Sequence, residues 1–216
     1  MTARRPGDDQ RSSDRLPTVL IVIAAVIGLL WWLGSGDPKA AAPTSGSRVI
    51  AFGDSLVEGV GTTRGRDFVS VLSERLGVPI ANAGRRGDTT RTALDRLDSA
   101  VLSRDPRIVI VVLGGNDFLR RVSREETFRN LDAIAGQIRA RGAAVLVAGL
   151  SLGLVTDSYG DEYEAVARRH SAGLVPDVLG GILNRPELMA DQIHPNDRGH
   201  ALMADRFEPA LRDLLK

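Results

Sequence analysis

From residue 48 onward, short apolar runs alternate with amphipathic helical patterns, and this alternation restricts the chain to very few architectures. Runs at 49–52, 78–81, 108–113 and 143–150 are bounded by Gly, Pro or Asn and read as buried strands, with a weaker fifth run at 174–175. Between them, Phe68, Val71, Leu72 and Leu76 share one helical face, as do Thr90, Ala93, Leu94, Leu97 and Val101. A third helix opens with the capping-box sequence Ser-Arg-Glu-Glu at 123–126 and turns Phe128, Leu131, Ile134 and Ile138 inward. A helix over 161–170 and a last one capped by Asn196, with Pro209 as a candidate kink or break, complete the series. Five βα repeats joined by right-handed crossovers predict an α/β domain: a parallel five-stranded sheet in flavodoxin-like order 2-1-3-4-5, with helices on both faces.

The segment ahead of this domain is of another kind. Residues 16–33, LPTVLIVIAAVIGLLWWL, carry no charge and reach about the minimum length of a membrane-spanning helix. Four arginines precede them, so the positive-inside bias places a tail of residues 1–15 in the cytoplasm and exports the rest of the chain. The expectation is a single-pass protein of the bacterial cytoplasmic membrane with its domain on the extracytoplasmic side. Ala40-Ala41-Ala42 offers a competing signal-peptidase site, although Pro43 would come directly after the cut. Residues 34–47 read as a flexible linker by composition, which leaves 48–216 for the domain. The first forty residues hold five basic and four acidic side chains of the chain's 28 and 27, so the domain is charge-balanced and nucleic acid is excluded as an expected partner. Cysteine is absent, which removes disulfides, thiolate nucleophiles and Cys-metal sites.

In a sheet of this order the loops at the carboxyl ends of the strands share one rim, and ligands bind where strand order reverses. Ser55 follows the first strand, the loop Asn82 to Thr90 the second and Asn116 the third, while Asp191 and His194 precede the last helix. A serine, amide donors and a histidine converging from separate loops are the parts of a nucleophile, an oxyanion site and a base. Each part has a plainer reading as well: Ser55 as a turn or cap residue, Asn116 as a loop cap, His194 as a structural histidine. Asp191, three residues before His194, can hold Nδ1–H and leave Nε2 free for a serine proton. His170 lies among arginines on a helix surface and His200 inside the last helix.

GDSL at 53–56, Gly87 in Arg-Gly-Asp-Thr, GGND at 114–117 and Asp191-Gln-Ile-His194-Pro-Asn resemble the four blocks of the GDSL or SGNH hydrolase superfamily, in order and at fitting spacings. The esterase, thioesterase, lysophospholipase and arylesterase branch is the most similar. That resemblance implies a three-layer flavodoxin-like sandwich and a serine hydrolase without metal or other cofactor, acting on a small-molecule or lipid ester. It implies further that Ser55 attacks the acyl carbonyl, that the N–H groups of Ser55 and Gly87 and the Asn116 amide hold the oxyanion, and that His194 moves the proton while Asp191 orients it. Asp54 is implied as support for the nucleophile loop, and Tyr159 and Tyr163 fall in a substrate-loop segment. Arg85 and Arg86 depart from the small or apolar pair expected before Gly87, and with Arg91 they offer positive charge for a phosphate-bearing substrate such as a lysophospholipid.

Alternatives of other kinds remain. The same blocks serve acyltransferases, O-deacetylases on cell-envelope glycans and a non-catalytic protein that binds acyl or glycan groups. Glycines at 59, 61 and 65 imitate a dinucleotide fingerprint, but the last gap is one residue too long and Asn82 stands where a ribose-binding acid belongs. Gly-Leu-Ser151-Leu-Gly at 149–153 matches the elbow of α/β-hydrolases without a helix pattern coming at once after it.

Overall fold

A computed structural model describes residues 38–151 and 159–216. The tail, the apolar stretch 16–33 and the first residues of the linker lie outside the described residues, and among the described residues no helix is long and apolar enough to cross a membrane.

Five parallel strands, β1 (Arg48–Gly53), β2 (Ile80–Gly84), β3 (Pro106–Val112), β4 (Ala144–Ala148) and β5 (Gly173–Val175), form one sheet in the order β2-β1-β3-β4-β5. The central strands are apolar along their length because both faces are covered: Ile50, Phe52, Ile108, Ile110 and Leu146 are wholly buried. The covering helices are α1 (Ser55–Glu58), α2 (Phe68–Leu76), α3 (Thr90–Asp95), α4 (Leu97–Ala100), α5 (Gly115–Leu119), α6 (Arg124–Ala140), α7 (Tyr159–Arg169) and α8 (Asp197–Leu214). Helices α2 and α8 pack together, with Phe68 stacked on Phe207 at 5.1 Å, and α6 packs against α3 and α7. The predicted three-layer α/β sandwich and strand order are those observed.

Most element ends shift by one or two residues from the sequence reading, and three differences have a clear local reason. Strand β2 starts at Ile80 rather than 78 and runs on to Gly84, because its register with β1 pairs Val49 with Ile80 and Gly53 with Gly84. Its end looks like loop in the sequence because Asn82 and Gly84 serve α1: the Asn82 amide donates to the Val57 carbonyl at 2.5 Å, and a Cβ on Gly84 would stand 2.1 Å from the Glu58 nitrogen. The helix predicted over 90–101 breaks at Arg96, whose side chain turns inward toward the ends of β1 and β2. Helix α8 runs through Pro209 without interruption, with the Asn196 side chain capping the N–H groups of Arg198 and Gly199.

Residues 38–47, read as part of a flexible linker, are docked instead. Leu174 donates to the Pro38 carbonyl at 3.1 Å, Ala41 to Ser171 at 2.8 Å and Thr44 to Gly142 at 2.8 Å, while the Ser47 hydroxyl reaches Asp105 at 2.7 Å. These partners lie at the amino ends of β3, β4 and β5, so the segment forms a strap beneath the sheet, opposite the rim that carries the candidate site. The compact unit therefore begins at Pro38 rather than at 48. A chain starting at Pro38 is expected to keep full thermal stability, whereas one starting at Arg48 loses about 3 kcal/mol, several net hydrogen bonds' worth. Paired melting curves of the two truncations check this, and equal midpoints would contradict it.

Candidate active site

Strand β1 ends at Gly53, and Asp54 turns the chain into the one-turn helix α1 as its N-cap, accepting the Leu56 N–H at 3.0 Å. Ser55 is thus the first residue of a turn fixed from below by β2 through Asn82. After α1 the chain reaches Gly61 with φ +94°, where a Cβ would lie 2.7 Å from the Pro195 carbonyl oxygen and 3.2 Å from the His194 Cβ. A glycine there lets the serine loop and the histidine loop come into contact, so Gly61 serves this approach.

The histidine loop is closed on itself between a short 3-10 turn at Pro186–Leu188 and α8. Ala190 donates to the His194 carbonyl at 2.8 Å, Met189 bridges Pro195, and the Asn196 amide donates to the Glu187 carbonyl at 3.0 Å. Within it one oxygen of Asp191 accepts the backbone N–H groups of Ile193 and His194, both at 2.8 Å, and the other takes His194 Nδ1–H at 2.7 Å. The imidazole bond, with the Ile193 N–H next in weight, pulls the Asp191 carboxyl down to about 2, so it stays anionic at ordinary pH. His194 Nε2 then accepts the Ser55 hydroxyl at 3.0 Å. A hydroxyl bonded to an imidazole whose far nitrogen is held by a carboxylate is the arrangement in which a serine can give up its proton.

Asn116 comes from α5 after β3, and its amide Nδ2 faces the Asp54 carboxylate at 3.2 Å and the Asp88 carbonyl at 3.0 Å. Gly87, one residue before Asp88, adopts φ +77°, and its carbonyl accepts from Arg120 at 2.9 Å. Burial raises the Asp54 carboxyl to about 7, partly opposed by the Leu56 N–H; Asp88 adds to the rise, and His194 and Asn116 oppose it. Ser55, His194, Asp191, Asn116, Asp54 and the Gly87 loop are therefore brought together on one rim.

Supporting residues came to light only in three dimensions. Arg96 donates to Asp88 at 2.6 Å and to the Gly53 and Ala83 carbonyls, both at 3.0 Å, with its guanidinium 4.5 Å from the Phe52 ring centroid. It joins the ends of β1 and β2 to the loop that carries Gly87. Asp117 is wholly buried and accepts the Thr90 N–H at 2.8 Å and hydroxyl at 2.6 Å, which fixes α5, and so Asn116, against the start of α3. The GGND and GDT motifs contained both aspartates; Arg96 had no such signal, since arginine is an ordinary helix former.

Other sequence candidates fall elsewhere. Arg85 pairs with Asp88 and Arg86 with Glu58, each at 2.6 Å, and Arg91 with Asp95 at 3.4 Å; Asp88 is shared with Arg96, so of the three Arg86 and Arg91 have a carboxylate to themselves. Tyr159 packs edge-on against Phe118 and Phe128, and the Tyr163 hydroxyl donates to the Leu113 carbonyl at 2.8 Å. Ser151 lies past β4 with its N–H on Asp177, and residues 152–158, where the elbow motif needs its helix, lie outside the described residues. His170 bonds Asp132 at 2.9 Å, and the buried His200 accepts the Phe68 N–H at 3.2 Å. Among the described residues no group of three or more His, Asp or Glu is placed to hold a metal ion.

With this geometry established, known proteins supply the comparison. Residues 51–202 match the model of the GDSL-like Lipase/Acylhydrolase family. Esterase TesA of Pseudomonas aeruginosa is 31% identical, over 82% of this chain and 92% of its own length. Thioesterase 1/protease 1/lysophospholipase L1 of Escherichia coli is 28% identical, over 77% of this chain and 84% of its own. A crystal structure of TesA superposes with a TM-score of 0.73 at 30% identity, covering 78% of this chain and 99% of that one. The chain belongs to the GDSL-like lipase/acylhydrolase family and is a hydrolase of ester bonds.

Proposed function

We propose that the protein is a serine esterase that works through an acyl-enzyme at the outer face of the cytoplasmic membrane. The observation that carries this reading is the 3.0 Å contact between the Ser55 hydroxyl and His194 Nε2, with Asp191 behind the ring. Ser55 Oγ attacks the ester carbonyl carbon as Nε2 takes its proton. The oxyanion is held by the N–H groups of Ser55 and Gly87 and by the Asn116 amide, while Asp191 stabilises the imidazolium. Collapse of the tetrahedral species expels the alcohol, which receives its proton from Nε2. Water then attacks the acyl-serine, giving its proton to Nε2, and the acid leaves as Ser55 recovers its hydrogen.

The acyl side of the substrate is apolar. Two large apolar side chains stand exposed among the described residues, Leu119 at 54% and Ile193 at 45%; one is three residues from Asn116 and the other adjoins His194. A hydrocarbon chain laid over them is favoured by about 25 cal/mol per Å² removed from water. Glu58 matches Arg86, but Arg85 and Arg96 share the single charge of Asp88, so positive charge remains beside the Gly87 loop and a phosphate-bearing ester fits the rim as well as a neutral acyl or aryl ester does. The charge-free stretch 16–33, with arginines before it, supports the anchored, extracytoplasmic location.

A panel of p-nitrophenyl esters tests the activity: kcat/KM is expected to rise about tenfold from acetyl to hexanoyl as two apolar side chains become covered. Absence of turnover on every ester would overturn the reading. For location, an alkaline phosphatase fusion after Lys216 is expected to be active and membrane-bound through a high-salt wash; full-length protein in the soluble fraction would refute the anchor.

A further inference from the structure

We infer that Asp54 is a positioning residue for the oxyanion amide, its charged carboxylate fixing which way round the Asn116 side chain points, an inference that rests on the roles proposed for Ser55 and Asn116. A side-chain amide can turn over about its last bond, exchanging its oxygen and its NH2 at little steric cost, and only its hydrogen-bond partners decide between the two. Here both partners are acceptors. Asp54 Oδ2 lies 3.2 Å and the Asp88 carbonyl 3.0 Å from Nδ2, so the turned amide would set oxygen against two oxygens. The longer bond, to Asp54, is the one a developing oxyanion can share.

The device depends on the proton count of Asp54. Its Oδ1 is already taken by the Leu56 N–H, so a proton on the group belongs on Oδ2. A protonated Oδ2 donates, and it then attracts the amide oxygen of Asn116, withdrawing NH2 from the oxyanion site. The groups around Asp54 set this balance. Asp88, from the loop after β2, raises the carboxyl although Arg85 and Arg96 pair with it; His194 from the facing loop, the Leu56 N–H of α1 and the Asn116 amide of α5 lower it. Burial outweighs them all and brings the carboxyl to about 7, within the working range. A carboxyl raised from 3.8 in the unfolded chain to about 7 in the folded one favours folding below 3.8, and that contribution is lost as pH rises toward 7.

The test is a double-mutant cycle of wild type, D54N, N116A and D54N/N116A on a neutral ester from pH 5 to 9. At pH 8, D54N is expected to lower kcat about a hundredfold, as loss of one oxyanion donor does, with KM within about threefold. In the N116A background the same change should cost less than about threefold, because the two residues act as one unit. The ratio of wild-type to D54N kcat should fall as pH drops through about 7, apart from the limb that the His194 base gives both enzymes, and the same ratio in the N116A background should stay flat. D54N should also gain thermal stability relative to wild type between about pH 5 and 8, which shows in the same experiment that the variant folds; if it does not, D54S keeps an acceptor for the Leu56 N–H and replaces it in the cycle. An equal loss in both backgrounds would overturn the inference and assign Asp54 to the serine turn alone. An N116A enzyme as active as wild type, or an active S55A, would instead bring down the parent reading.

Discussion

Replacing Ser55 with alanine is expected to lower kcat by at least a thousandfold, on the order of 10⁴ to 10⁶, because it removes the atom to which the acyl group is transferred. Two serines in this chain sit in glycine-rich loops after strands, and each matches a known nucleophile motif. The structure separates them by their neighbours: Ser55 meets His194 at 3.0 Å, whereas the Ser151 N–H is engaged by Asp177. Ser151→Ala is therefore expected to retain most activity. Steady-state kinetics of the two purified variants on one chromogenic ester decides the matter, and the reverse ranking would reassign the nucleophile. The residual rate of the Ser55 variant reports what the oxyanion donors and substrate binding achieve alone.

Asn116→Ala is expected to raise the barrier by about 3 kcal/mol, a loss of roughly two orders of magnitude in kcat with KM little changed. The reasoning is that a ground-state carbonyl oxygen bears little charge, so the amide contributes chiefly as the tetrahedral oxyanion forms. Asp117 makes this a clean test. It, rather than Asn116, carries the buried bonds to Thr90 that hold α5 in place, so trimming Asn116 leaves the helix anchored. A change confined to KM would make Asn116 an ordinary binding residue.

The sheet was legible because parallel strands buried on both faces appear as continuous apolar runs, and their alternation with helical patterns admits one common order. What escaped was structure made by polar atoms across long sequence separations. Residues 38–47 resemble a linker because they dock mainly through backbone and short hydroxyl groups, which leave no apolar periodicity. The end of β2 was hidden by Asn82 and Gly84, chosen for α1 rather than for the strand. The break at Arg96 arises from a half-buried ion pair with Asp88, eight residues earlier, and from carbonyls on two strands.

The candidate site divides in the same way. Ser55, Asn116, Asp191 and His194 sit in short motifs, each with a plainer reading alone, and were legible as an ordered set. The link between Asp54 and Asn116 spans 62 residues and was not. Arg86 shows the opposite case, since its positive charge, unpaired to the eye in the sequence, is matched in space by Glu58, 28 residues earlier. Charge read along a chain overstates the field at a site whenever partners arrive from other loops.

The acyl-enzyme itself is open to direct measurement. Treating the protein with one equivalent of an alkyl fluorophosphonate, which mimics the tetrahedral species and phosphonylates an activated serine, should abolish esterase activity in step with a single mass addition. Peptide mapping should place that addition on Ser55, and Ser55→Ala should remain unlabelled. Label on Ser151, or full esterase activity after stoichiometric labelling of Ser55, would contradict the reading of Ser55 as the residue that carries the acyl group.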